Sequence, residues 1–198
     1  LVQSVFNPSM LKTFLDERGE DNYLGPTAAV AAVLRSGEKG PEVLFIERAV
    51  KEGDPWSGQM AFPGGRTESK DKSSLETARR ETLEEIGFDL NQTITLGCLS
   101  DQEGGPKGSS QKLLVTPYLY WYDQQDFATS LNHEVAAIVW VPVENLFDPS
   151  RHIQYAYPLL GNQLWPGIQI DSERVVWGLT LRMIEDLFER VGLPLKLR

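Results

Sequence analysis

Glu81, Glu84 and Glu85 stand at i, i+3 and i+4 in the segment SSLETARRETLEEIG, whose apolar residues recur at helical spacing. At about 100° per residue the three carboxylates fall within about 100° of one another, on a flank beside the stripe of Leu75, Ala78, Thr82 and Ile86. Like charges so placed destabilise a helix by roughly 0.2–0.5 kcal/mol per pair. A cation among them removes that penalty. Hard oxygen donors suit Mg²⁺ or Mn²⁺, which take one or two protein carboxylates and keep positions for water and phosphate oxygens. A water and a phosphate oxygen held on one such cation are placed for metal-assisted chemistry at phosphorus.

An acidic helix face by itself is ordinarily a solvated surface. Its neighbours here argue for more. Phe62-Pro63-Gly64-Gly65 lies upstream and brings uncovered main-chain groups within reach of metal and phosphate, Arg80 immediately precedes Glu81, and Gly87 closes the run.

These residues resemble the signature of the Nudix family, G-x5-E-x7-R-E-U-x-E-E-x-G-U with U aliphatic. Gly65, Arg80, Glu81, Glu84, Glu85 and Gly87 match it, and Phe88 is apolar at the last position. Six fixed identities recur by chance in roughly one window in 10⁷ to 10⁸, which sets coincidence aside. The spacing from Gly65 to Arg80 is one residue longer than the signature, Asp71 stands in for the loop glutamate, and Thr82 fills an aliphatic position. FPGG with the longer spacing and an aspartate is similar to the coenzyme A diphosphatase subgroup. The stretch before FPGG, IERAVKEGDPWSGQMAFPGG, keeps Arg48 and Gly58-Gln59 but lacks that subgroup's histidine.

The resemblance implies an α/β fold, the Nudix α/β/α sandwich with a mixed sheet and a loop-helix-loop box over 65–88. It implies Glu81, Glu84 and Glu85 with the Gly65 carbonyl as ligands for Mg²⁺ or Mn²⁺. The general base is Glu81 or a loop glutamate, Glu134 before Glu103. Arg80 is expected to orient a box carboxylate through a bidentate pair. Arg48 and Arg66 flank the glycine loop and can meet substrate phosphates. Trp56 can stack on a base, and Asp71 braces the loop. His133, His152 and Cys98 receive no role, and Trp140 and Trp177 belong to apolar, core segments.

The reaction implied by the resemblance is metal-dependent hydrolysis of the diphosphate linkage of a nucleoside diphosphate derivative: coenzyme A or its derivatives, or else ADP-ribose, a nucleotide sugar or a nucleoside triphosphate. A non-catalytic nucleotide-sensing module is the alternative of another class. Family resemblance also implies a possible homodimer.

The elements that must position these groups follow from pattern. The 198 residues, 41% hydrophobic, suffice for one domain over 1–198. Periodicity predicts an N-terminal helix over about 9–17 and strands over 27–34 and 42–47 joined by a turn at 36–41. A broken loop then leads to a helix capped by Ser73 or Ser74 and stopped by Gly87. Strands are predicted over 93–99, 113–122 and 135–141, with a mobile polar loop over 100–111. A short helix over 142–147, strands over 154–160 and 168–170, and an amphipathic helix over about 179–191 complete the chain.

Lys and Arg number 19 against 28 Asp and Glu, a net charge of −9, so the chain carries no basic field for nucleic acid or an anionic membrane. One cysteine permits no intramolecular disulfide and suits the cytoplasm. No apolar run approaches the roughly 20 residues of a membrane span. The chain opens on leucine and not methionine, which leaves room for N-terminal sequence before it.

Overall fold

The computed structural model describes residues 2–18, 27–54, 56–104, 112–125, 128–158 and 161–197. Two short helices, α1 (Val2–Val5) and α2 (Pro8–Phe14), precede the strands β1 (Thr27–Gly37) and β2 (Gly40–Arg48). The short strands β3 (Met60–Ala61) and β4 (Gly64–Arg66) lead into α3 (Ser74–Ile86). Then follow β5 (Ile94–Cys98), β6 (Gln102–Gly104), β7 (Leu113–Tyr122), β8 (Val135–Pro142) and α4 (Val143–Phe147). The strands β9 (His152–Ala156), β10 (Leu164–Gln169) and β11 (Val175–Trp177) end in α5 (Gly178–Arg190).

Strand β1 is the axis of a mixed sheet. It runs parallel to β7 from Thr27 opposite Leu114 to Arg35 opposite Tyr122, and antiparallel to β4 and then β2 along its other edge. Beyond β2 lies β8, and β5 and β6 flank β7. A second, antiparallel sheet has the order β11-β10-β9.

Side chains alternate across a strand, and both faces here are covered. Ala29, Ala31 and Val33 of β1, with Leu44, Ile46, Tyr118 and Tyr120, join Ala78 and Ile86 of α3 in one buried cluster. The other parity, Ala28, Ala32, Leu34, Val43, Phe45, Leu119 and Trp121, joins Ile184, Leu187 and Phe188 of α5. The result is the expected α/β/α sandwich, and two-sided burial explains why β1 reads as a nearly unbroken apolar run. Full burial of a chain such as Ile86 or Phe188 contributes roughly 1.5–3 kcal/mol, which fixes α3 and α5 to opposite faces. Phe6 packs on Phe188 at 5.2 Å, so the N-terminal segment shares the α5 layer. Among the described residues no helix is long and apolar enough to cross a membrane.

Several boundaries differ from the sequence expectation. The hairpin turn contracts from 36–41 to Glu38 and Lys39. The N-terminal helix stops at Phe14 because Asp16 pairs as an isolated bridge with Cys98 instead of continuing the helix. Strands β3 and β4 lie within the stretch read as broken loop: their partners on β2 and β1 are distant in sequence, and local Gly and Pro hide them. Within the loop expected over 100–111, residues 102–104 form β6 and 105–111 lie outside the described residues. Strand β9 starts two residues before the predicted 154–160, and β10 ends just after the predicted 168–170 begins. Strand β11 was not expected, because its three residues run directly into α5.

Candidate active site

The helix that carries the glutamates is bounded by the signals seen in the sequence. Ser73 is the N-cap, its side chain accepting from Glu76 N–H, and Gly87 takes the left-handed conformation at φ 69° with its N–H on Leu83 O. Ala78, Thr82 and Ile86 are fully buried against the sheet. That rotation of α3 decides the fate of each neighbouring carboxylate. Glu85 lies next to the buried stripe and is only 3% exposed. The Glu81 side chain is 17% exposed, whereas that of Glu84 is 50% exposed at the rim.

The glycine loop meets these carboxylates through its main chain. Gly64 N–H donates to Glu85 Oε2 at 2.8 Å. A Cβ on Gly65 would stand 2.5 Å from the Glu81 carboxyl carbon, so Glu81 rests directly on the bare backbone there. Burial pushes the Glu85 carboxyl up to about 7; the Gly64 N–H and the Arg48 charge oppose that rise, and the Glu81 and Glu134 charges add to it. Burial also raises Glu81, against the pull of Arg80. Two desolvated carboxylates repelling one another are what a divalent cation relieves.

Arg80 is placed differently from the expectation. Its bidentate partner is Asp71, with Nε on Oδ1 and Nη2 on Oδ2 at 2.8 Å each, and no box glutamate is gripped in that way. Asp71 is ready for this fork because Glu68 N–H and Thr77 Oγ1 also donate to it. Arg80 Nη1 is left to bridge Glu81 Oε1 at 2.9 Å and Glu84 Oε2 at 3.2 Å, and Nη2 also reaches Arg66 O at 3.0 Å. Asp71 thus braces the loop, and Arg80 holds Asp71 well below the usual carboxylate range.

Main-chain bonds bring Glu134 to the same place. Asn132 N–H donates to Glu85 O at 2.9 Å, Asn132 Oδ1 accepts from Glu134 N–H, and Glu134 O accepts from Ala49 N–H. This chain of contacts sets Glu134 and Arg48 around the end of α3, and Glu85 feels the charge of both. Asn132 was missed in the sequence, although an asparagine two residues before an N–H is a recognisable Asx-turn signal. Glu103 lies on β6, exposed and paired with Lys112 at 2.5 Å.

Arg48 Nη2 is 3.2 Å from Asp54 Oδ2, a partner the sequence did not indicate. Arg66 is exposed on β4 next to Gly65, and Trp56 is 40% exposed on the loop after β2. His133 is exposed, His152 bonds Leu146 O, and Cys98 is buried. Trp177 is buried among Tyr155, Tyr157 and Trp165, and Trp140 lies under Arg35 at 4.0 Å. Among the described residues no three Asp, Glu, His or Cys side chains close into a metal cage. The inner pair is Glu81 and Glu85, with Glu84 outside it. Two carboxylates with oxygen donors only, one of them resting on the bare backbone of Gly65, fit Mg²⁺ or Mn²⁺, which use few protein ligands.

The sequence profile of the NUDIX domain matches residues 25–160. A Schizosaccharomyces pombe protein, C14C4.10c, is 32% identical over 151 residues, 75% of this chain. The chain spans 42% of that relative's length. The Nudix hydrolase NudL of Photorhabdus laumondii is 33% identical over 135 residues, 68% of this chain and 70% of the relative. Among solved structures, the NUDIX domain of Shewanella oneidensis NrtR, complexed with ADP ribose, superposes with a TM-score of 0.54 at 16% identity, covering 85% of this chain and 90% of that one.

Proposed function

The chain belongs to the Nudix hydrolase family, and from that premise we propose that it hydrolyses the diphosphate linkage of a nucleotide derivative with Mg²⁺ or Mn²⁺. The observation that carries this reading is the Glu85 carboxylate, buried, held by Gly64 N–H and set beside Glu81 on the bare backbone of Gly65. Glu81, Glu85 and the Gly65 carbonyl hold the cation, with Glu84 completing its outer side. When bound, the cation neutralises phosphate charge and makes coordinated water more acidic.

The protein groups divide the remaining work. Arg80, fixed by Asp71, orients Glu81 and Glu84 through Nη1. Arg48 and Arg66 take phosphate oxygens, and Trp56 stacks on the base. Glu134 accepts the proton of the attacking water, a role its place beside Glu85 supports over that of Glu103.

Coenzyme A or a derivative is the substrate we favour, on the longer loop and Asp71 of the box. ADP-ribose, which the NrtR domain binds, is the second candidate. One Nudix domain in the cytoplasm, as a homodimer, completes the reading. Incubation of coenzyme A, ADP-ribose, nucleotide sugars and nucleoside triphosphates side by side, with product masses, tests it. Metal-dependent release of a nucleoside monophosphate or phosphopantetheine product is expected. Tight binding without turnover of any of them would instead indicate a sensing module.

A further inference from the structure

Arg48 leaves β2 beside the carboxylates and stands at the neck of a closed loop. Its N–H donates to Gln59 O at 3.0 Å, and its carbonyl accepts from Gly58 N–H at 3.1 Å. Inside the loop Ser57 Oγ accepts from Lys51 N–H and donates to Lys51 O, both at 2.9 Å. Tyr157 Oη donates to Ser57 O at 3.3 Å and ties the loop to the second sheet. Asp54 is therefore held on a fastened frame. Its Oδ1 accepts from Trp56 N–H at 2.9 Å, and its Oδ2 accepts from Arg48 Nη2 at 3.2 Å.

The Arg48 guanidinium is thus gripped at one corner. Nε is buried and has no partner among the described residues, while the side chain as a whole is 32% exposed. A free arginine must surrender side-chain rotamer entropy to grasp a ligand. One already aimed has lost part of that freedom before the ligand arrives.

We propose that Asp54 is a positioning residue for the diphosphate site: by holding Nη2 it presents the rest of the Arg48 guanidinium to phosphate beside Glu81 and Glu85. This rests on the reading that the site takes a diphosphate. Both Asp54 carboxylate oxygens are engaged, by Trp56 N–H and Arg48 Nη2, so Asp54 acts through Arg48: its effect falls on affinity, and KM rises while kcat holds.

Calorimetric titration of the full chain with methylenediphosphonate and Mg²⁺ reads binding without turnover. Wild type binds, D54N binds about tenfold more weakly, and D54E recovers part of the loss. In an R48Q background, followed at higher ligand concentration, adding D54N changes Kd by less than about twofold, because the group it acts through is gone. A loop that had merely loosened would lose affinity equally in both backgrounds. No binding by wild type, an unchanged Kd in D54N, or equal losses in the two backgrounds each overturns the inference. Turnover of natural diphosphates is measured separately: binding that follows the expected pattern with no turnover would sink the hydrolase reading and leave the role of Asp54 standing.

Discussion

Gly64 N–H lies 2.8 Å from Glu85 Oε2, joining the glycine loop to the last turn of α3 across 21 residues of chain. Gly64 holds φ at 149°, where side chains are strained, and a Cβ there would collide with Ala29 O and Val30 Cα on β1. The glycine that lets β4 close on β1 is therefore also the donor that fixes the buried carboxylate. Fold and site meet at one peptide group.

The two adjacent glycines separate by consequence. Gly64→Ala strikes main chain and should lower Tm by several degrees, with activity falling as the fold does. Gly65→Ala strikes first the movable end of Glu81, so Tm should stay within about 2 °C of wild type while kcat drops by roughly 10- to 100-fold through displacement of that carboxylate. Thermal denaturation paired with initial rates checks both. Equal loss of Tm in the two variants would show that Gly65 is merely a turn residue.

Removing the partner of Arg80 should be felt in stability first. The Asp71 side chain is 3% exposed and that of Arg80 13%, so Asp71→Asn takes the charged half of a buried fork from a guanidinium that keeps Glu81, Glu84 and Arg66 O, at a cost of about 1.5–3 kcal/mol, roughly 3–12 °C in Tm. Because Arg80 depresses the Asp71 carboxyl, its contribution is present above the ordinary value near 3.8 and is lost as pH falls through the folded value. The Tm gap between wild type and variant should be constant from about pH 5 to 8 and narrow below about pH 4.

Much of this site was legible in the sequence because its signals are local. Ser73, the helical stripe, the three glutamates and Gly87 each act within one helix, and the nearly unbroken apolar runs of β1 and β7 record two-sided burial. What escaped depends on distant partners. Strands β3 and β4 exist by pairing with β2 and β1, and the fork of Arg80 on Asp71 depends on how a loop one residue longer folds back, with Thr77 and Glu68 preparing the carboxylate. Asp54 and Asn132 carry no signal beyond turn chemistry; their roles follow from what the loops touch.

Metal-free stability should carry the mark of Glu85. Its carboxyl, raised from 4.5 to about 7, contributes stability that is full below the unfolded value and lost as pH rises through the folded one. In EDTA, wild type should therefore lose Tm relative to Glu85→Gln between about pH 4.5 and 7, with little further change above. Added Mg²⁺ should restore more Tm at pH 8 than at pH 6, since the cation takes the ionised form. A Tm difference between the two proteins that is independent of pH would contradict this assignment.

Glu134 and Glu103 can be told apart by rate. If Glu134 receives the proton, Glu134→Gln should lower kcat by about 10²-fold with its Tm held, whereas Glu103→Gln should change kcat by less than about threefold. The reverse order would transfer the role to β6.

The most direct test of the account follows hydrolysis in ¹⁸O-water by wild type and Glu85→Gln, with Mg²⁺ or Mn²⁺ and the best diphosphate of the panel. Glutamine keeps an acceptor for Gly64 N–H but removes the charge. The account predicts metal-dependent incorporation of label into a phosphate product by wild type and a loss of at least about 10²-fold in the variant. Full turnover by Glu85→Gln, or none by wild type with any substrate and either metal, would contradict it.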